Sequence, residues 1–157
     1  MKKLILVVGL YCLHPNLQAG SYNPSTKKHA TPFTASERAM AHFKSYYADA
    51  PDAEWFKPDG KDMYCLFHEG DKTEHVFYNS SGYWQYTLIS YPPSMLDKNI
   101  TEQVLNFFDG YHISFVNEIR SLYDEPIYMI NIEDANHIKV IKLVRDEIEV
   151  QEDLDKS

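Results

Sequence analysis

The sequence predicts an α+β protein: a duplicated helix-plus-antiparallel-strands unit forming one sheet with helices on one face. Three observations predict it. An amphipathic stretch followed by short aromatic-rich strand patterns occupies residues 36–91, and the same order returns over 97–151. Loops of a few residues join the strand patterns; they are too short for parallel crossovers, so consecutive strands are expected to pair antiparallel. The chain of 157 residues is 44% hydrophobic and 14% aromatic, mostly Tyr (12) and Phe (8), which suits one ordinary domain or two very small ones.

The chain opens Met1-Lys2-Lys3, continues through Leu4-Ile5-Leu6-Val7-Val8-Gly9-Leu10, and reaches Ala19 before Gly20. A basic start, a short apolar run and a small closing residue are the layout of a cleavable signal peptide over 1–19. The run of about ten residues is half the ~20 that a bilayer-spanning helix needs, so no stable membrane insertion is expected after cleavage. The competing reading is a buried N-terminal strand. Tyr11 before Cys12 argues against a lipid anchor, which takes a small residue there. The expected location is periplasmic or secreted. Residues 20–34 are rich in Ser, Pro, Thr and Lys without a hydrophobic period and read as a flexible leader.

The first helix opens at Thr34-Ala35-Ser36-Glu37: Thr34 with Glu37 forms a capping-box pattern, and Ser36 is the rival cap. Ala39, Met40, Phe43, Tyr46 and Tyr47 make one apolar stripe, which ends before Pro51. Strands are predicted at 53–56, 62–68, 74–78 and 83–90, with turns at Pro58-Asp59-Gly60, Glu69-Gly70-Asp71-Lys72 and Asn79-Ser80-Ser81-Gly82. Tyr91-Pro92-Pro93 breaks the sheet. A second helix is predicted over 101–109, with Val104, Leu105, Phe107 and Phe108 apolar and Gly110 as its stop. Strands follow at 112–119, 126–132, 138–144 and 147–151, and the tail 152–157 is expected to fray. Aligning the halves sets Phe43 near Leu105, the Met63 strand near the Ile127 strand and the Val76 strand near the Val140 strand.

The formal charge of −8 becomes −10 when the signal removes Lys2 and Lys3. So acidic a chain is repelled by phosphate backbones, so no nucleic-acid partner is expected; the charge serves solubility or a partner with a basic face. Cys12 leaves with the signal, and Cys65, within Met63-Tyr64-Cys65-Leu66-Phe67, reads as a small buried hydrophobe.

Catalytic patterns are absent. There is no Gly-x-Ser-x-Gly, phosphate loop or dinucleotide fingerprint, and no helical His pair of the zinc type. His68 and His75 can face each other across a hairpin with Glu69 or Glu74 near, a possible metal site, although polar strand positions explain them as well. Glu147 and Glu149 share a strand face, where solvated charge competes with a carboxylate pair. Asn79-Ser80-Ser81 and Asn99-Ile100-Thr101 fit the glycosylation pattern, in a chain whose signal looks bacterial. No cofactor is called for.

Alternation sends Met63, Cys65 and Phe67 one way and Tyr64, Leu66 and His68 the other; in the fourth strand Tyr83, Gln85 and Thr87 oppose Trp84, Tyr86 and Leu88. One face is expected under the helices and the other as an exposed aromatic surface, unless loops or an oligomer cover it. With the helix, the Ala53-Glu54-Trp55 strand, the Met63–Phe67 strand, the Asn79–Gly82 turn and the Pro92-Pro93 connection in view, residues 36–150 resemble the PepSY-like proteins, also described as beta-lactamase-inhibitor-protein-like, exported by Bacteroidetes-type bacteria. The resemblance implies a PepSY-like domain over 35–151, export, and no catalysis; hydrolase inhibition is suggested by the name alone. The sequence departs from the pattern at Arg145-Asp146-Glu147, where the turn has no glycine. The expected function is an exported, non-enzymatic module that binds an envelope or extracellular protein through Tyr64, Tyr83, Trp84, Tyr86 and Tyr128. The alternative is a periplasmic carrier of a small ligand or metal.

Overall fold

The computed structural model describes residues 36–156 apart from Asp49, Pro51, Asp59 and Tyr123. The expected signal peptide, leader and Thr34 cap lie outside the described residues. Helix α1 (Glu37–Tyr46) is followed by β1 (Glu54–Phe56), β2 (Met63–Glu69), β3 (Lys72–Tyr78) and β4 (Trp84–Tyr91). A 3-10 turn at Pro93–Met95 leads to α2 (Lys98–Phe107), then β5 (His112–Ser121), β6 (Ile127–Glu133), β7 (His137–Val144) and β8 (Glu147–Asp155). The strands form one antiparallel sheet in sequence order, β1 to β8. Short loops pair the strands within β1–β4 and within β5–β8, while β4 pairs with β5 across the longer connection that carries the 3-10 turn and α2.

Local chemistry sets the helix ends. Ser36 caps α1, its hydroxyl accepting from the Ala39 N–H at 3.3 Å. Asp97 caps α2 by accepting from the Asn99 N–H at 2.8 Å, so α2 starts three residues before the predicted Thr101. At the other end α2 stops at Phe107, ahead of Gly110, which takes a left-handed φ of +82° just beyond. The glycine-free turn between β7 and β8 places Arg145 at φ +54°, the left-handed conformation that a two-residue hairpin requires. Within the tail expected to fray, β8 continues to Asp155, with Lys139 opposite Asp153 and Ile138 opposite Leu154, and the Lys156 N–H donates to the Asn136 carbonyl at 2.6 Å.

Register aligns Phe67, Glu74, Ile89, Glu118, Tyr128, Leu143 and Ile148 in a row from β2 to β8. This row and the rows two residues to either side of it face both helices. Ala39 and Phe43 of α1 pack with Met63, Cys65, Phe67, Val76 and Tyr78. Val104 of α2 packs with Ile89, Tyr91, Val116, Ile130, Ile132, Ile141 and Leu143. The result is two apolar clusters on one face of one sheet. Tyr46, placed on the apolar stripe by its spacing, points to solvent and stacks on His42 instead, with ring centroids 4.6 Å apart. Phe107 is likewise exposed at the end of α2.

Gly82 ties α1 to the sheet. It sits at φ +80°, and a Cβ there would lie 2.1 Å from the Ser36 hydroxyl that caps α1. The Asn79 side chain accepts from the Ser81 and Tyr83 N–H groups, and Arg38 of α1 donates to the Ser81 carbonyl at 2.8 Å. Gly82→Ala is therefore expected to cost about 2 kcal/mol, roughly half from positive φ and half from the displaced cap. Thermal unfolding should show Tm lowered by about 5 °C, and an unchanged Tm would mean that the turn and helix end shift without cost.

Candidate functional site

The sheet face turned away from both helices carries a row of aromatic rings. Phe56, Tyr64, Phe77 and Tyr86 are cross-strand neighbours on β1 to β4. Their successive centroids are 5.0, 5.4 and 4.5 Å apart, within the range of favourable ring pairs. The next row is largely aliphatic: Leu66, His75, Leu88, Ile119, Ile127 and Val144. Tyr86 retains 37% of its surface exposed. Phe77, Tyr86, Ile119 and Ile127 floor a shallow cleft of about 430 Å³ whose rim includes Asp62 and Asp124. Charges on this face are mainly acidic, Glu147 and Glu149 on the exposed edge strand included.

The expected partner-binding residues do not all share this face. Tyr64 and Tyr86 do. Trp84 does not, because a bulge between Phe77 and Tyr78 pairs Tyr78 with Trp84 while Phe77 pairs with Tyr86. The bulge reverses alternation, so Trp84 points to the helices, stacks on His42 at 5.6 Å and donates to the Thr87 hydroxyl at 3.1 Å. Tyr128 packs on the α2 cluster. Tyr83 lies in the turn before β4, under the Arg38 guanidinium at 4.2 Å. Sequence reading missed Phe56 and Phe77; their positions opposite Tyr64 in alternating strands were the available signal.

The helix-facing side has a polar seam between the two apolar clusters. Its buried polar residues, Glu74, Thr87 and Glu118, lie on the adjacent strands β3, β4 and β5. Glu118 is fully engaged: Arg120 Nε donates to Oε1 at 2.5 Å and the Tyr91 hydroxyl donates to Oε2 at 2.9 Å. The hydroxyls of Tyr47 and Thr87 hydrogen-bond at 2.9 Å. Burial, reinforced by the nearby Glu69 carboxylate, pushes the Glu74 pKa up. A cleft of about 580 Å³ opens here, between the end of α1 and the β2–β3 hairpin.

The remaining candidates separate. His68 and His75 share the open face, but strand alternation sends Glu69 and Glu74 to the other, so neither carboxylate joins the two histidines across the hairpin. Among the described residues no three His, Cys, Asp or Glu side chains converge as metal ligands. Burial lowers the His75 pKa, with His68 adding to the effect, and leaves its Nδ1 without a partner. Cys65 is fully buried, and burial pushes its thiol up to about 12.

No protein-family model matches the sequence, and neither does any curated protein. Solved structures share the fold. A DUF2874 family protein from Bacteroides ovatus superposes with a TM-score of 0.63 at 16% identity, covering 78% of this chain and 89% of that one. A second DUF2874 family protein, from Bacteroides uniformis, gives 0.60 at 13%, with 78% and 90% covered. A BLIP-like protein from Bacteroides fragilis gives 0.62 at 10%, with 78% and 87% covered. The chain has the fold of these Bacteroides proteins. At such identities the likeness concerns the backbone and carries no site residue with it. No helix among the described residues is long and apolar enough to cross a membrane.

Two measurements check these placements. Trp84→Ala should cost about 2–3 kcal/mol in urea unfolding, as loss of a large packed ring does, while Tyr86→Ala on the open face should cost under about 1 kcal/mol. Equal costs would contradict the bulge-driven separation of the two rings. Cys65 should resist iodoacetamide at pH 8 in the folded protein and react on unfolding in urea, because the thiolate is the reactive form.

Proposed function

We propose that this chain is an exported, non-enzymatic binding module of the PepSY-like, BLIP-like kind, whose open sheet face holds a protein partner. The observation that carries the reading is the Phe56–Tyr64–Phe77–Tyr86 row, which lies on the face opposite both helices. Contiguous apolar surface of this kind is characteristic of interfaces, and aromatic anchors contribute much of the energy in them. The partner is an envelope or extracellular protein presenting an apolar patch bordered by Lys and Arg. Its basic border matches the net charge of −8 and the acidic rim at Asp62, Asp124, Glu147 and Glu149. Tyr64 and Tyr86 are the direct anchors, together with Phe56 and Phe77. Tyr83 borders the face, and Trp84 and Tyr128 support the sheet from behind.

Two further parts of the reading rest on sequence and order. The basic, apolar and small-residue layout of 1–19 supports export to the periplasm or beyond. Internal duplication is supported by the order helix, four strands, helix, four strands, and by two ten-residue helices each burying its seventh residue, Phe43 and Val104. The BLIP-like name of one structural neighbour is compatible with a partner-binding role.

The test compares variants in affinity capture from envelope extract, followed by titration of the retained protein. Phe77→Ala with Tyr86→Ala should weaken binding at least about 30-fold, equivalent to about 2 kcal/mol. Association should also slow as salt rises. A partner retained equally by the double variant, with the fold intact, would remove the open face from the reading.

A further inference from the structure

The polar seam on the helix side is a second, separate candidate site, independent of any partner on the open face. Its residues follow a simple pattern. Glu118 has donors for both oxygens, and Thr87 accepts from Trp84 and bonds with Tyr47. Glu74 is buried to 7% of its surface and has neither hydrogen bond nor ion pair among the described residues. Its carboxylate faces the cleft with no donor from the described residues, so its hydrogen bonds there come from water or from a ligand that displaces it. Glu74 lines the cleft of about 580 Å³, alongside Phe67, Trp84, Thr87, Tyr47 and Arg120. That volume lies within the range of small-molecule sites, which span roughly 300–1,000 Å³.

The charges in the cleft decide the sign of the ligand. Arg120 is engaged with Glu118 at 2.5 Å, and Lys72 lies 3.9 Å from Glu69. The carboxylate left without a contact partner is therefore Glu74, on which Lys72 and Arg120 act only from a distance. The lining includes the rings of Tyr46, Tyr47, Phe67 and Trp84, whose faces attract cations. One free carboxylate falls short of the several oxygen ligands that a calcium or magnesium ion takes. We propose that this cleft binds a small organic ammonium ion, with Glu74 as its counter-ion and the rings of Tyr47, Phe67 and Trp84 around its apolar body. The ammonium provides up to three N–H donors to an acceptor that the fold leaves without one.

The test uses phenethylammonium as the probe, with 2-phenylethanol and 3-phenylpropionate as neutral and anionic counterparts of similar shape. Calorimetric titration and thermal unfolding are run on the full chain at pH 7. The expected result is saturable binding of phenethylammonium with Kd below about 1 mM and a Tm that rises with its concentration. The alcohol and the anion should bind at least about 10-fold more weakly, since each lacks the charge-assisted donor. Glu74→Gln should fold at least as well without ligand, because no charge is buried, and should lose most of the affinity for the ammonium. Absence of binding, equal binding of the three probes, or undiminished binding by Glu74→Gln would each overturn the proposal. If Glu74→Gln does not fold, the comparison of the three probes on the unaltered protein decides. Tyr86→Ala should leave phenethylammonium binding unchanged, which separates this cleft from the open face.

Discussion

Two ten-residue helices cannot cover one face of an eight-stranded sheet, and much of the molecule follows from that mismatch. Eight strands at about 4.8 Å spacing make a sheet about 34 Å wide. Each helix is about 15 Å long and about 10 Å across. Each one therefore covers a patch, builds its own apolar cluster beneath, and leaves the middle of the sheet between them. Water reaches that middle, and the residues at its base are polar: Glu74, Thr87 and Glu118, with Arg120 beside them. The same short helices leave nothing over the opposite face, where the aromatic row stands.

Strand irregularities then decide which side chain meets which environment. Without the bulge at Phe77/Tyr78, Trp84 and Tyr86 would share a face, since they are two residues apart. With it, Tyr86 stacks on Phe77 while Trp84 stacks on His42 above the helix-facing side. One extra residue thus divides neighbouring aromatics between support and exposure. A second bulge, at Val140/Ile141, shifts β8 against β7 so that Glu152 rather than Gln151 pairs with Val140. That edge strand carries Glu147, Glu149, Glu152, Asp153 and Asp155, and repulsion between such edges opposes strand-by-strand association. The opposite edge, β1, has only three residues.

Charge satisfaction is uneven across the seam. Glu118 has an arginine and a tyrosine, which make its burial tolerable. Glu74, two strands away in the same row, has neither, and burial raises its pKa. The difference arises because Arg120, two residues along β5, and Tyr91 on the adjacent β4 both reach Glu118, whereas the end of α1 beside Glu74 supplies only rings and the Tyr47 hydroxyl, already bonded to Thr87. The contrast marks the seam as more than structural filler.

Strand existence, antiparallel order and the presence of two helices were legible in the sequence, because these depend on local alternation, caps and turn residues. Met63, Cys65 and Phe67 were separable from Tyr64 and Leu66 by period alone. The faces of Trp84 and Tyr128 were not, since a bulge and a cross-strand row have no signature in one strand's own pattern. Glu74 and Glu118 read as ordinary strand acids; their burial is set by strands and a helix remote in the chain. The sequence by itself therefore determined the elements and most of their bounds, through interactions a few residues apart. Only the tertiary structure decided which aromatics remain exposed and which carboxylate is left unpaired, because register and helix coverage join residues on different elements, 6 to 43 positions apart.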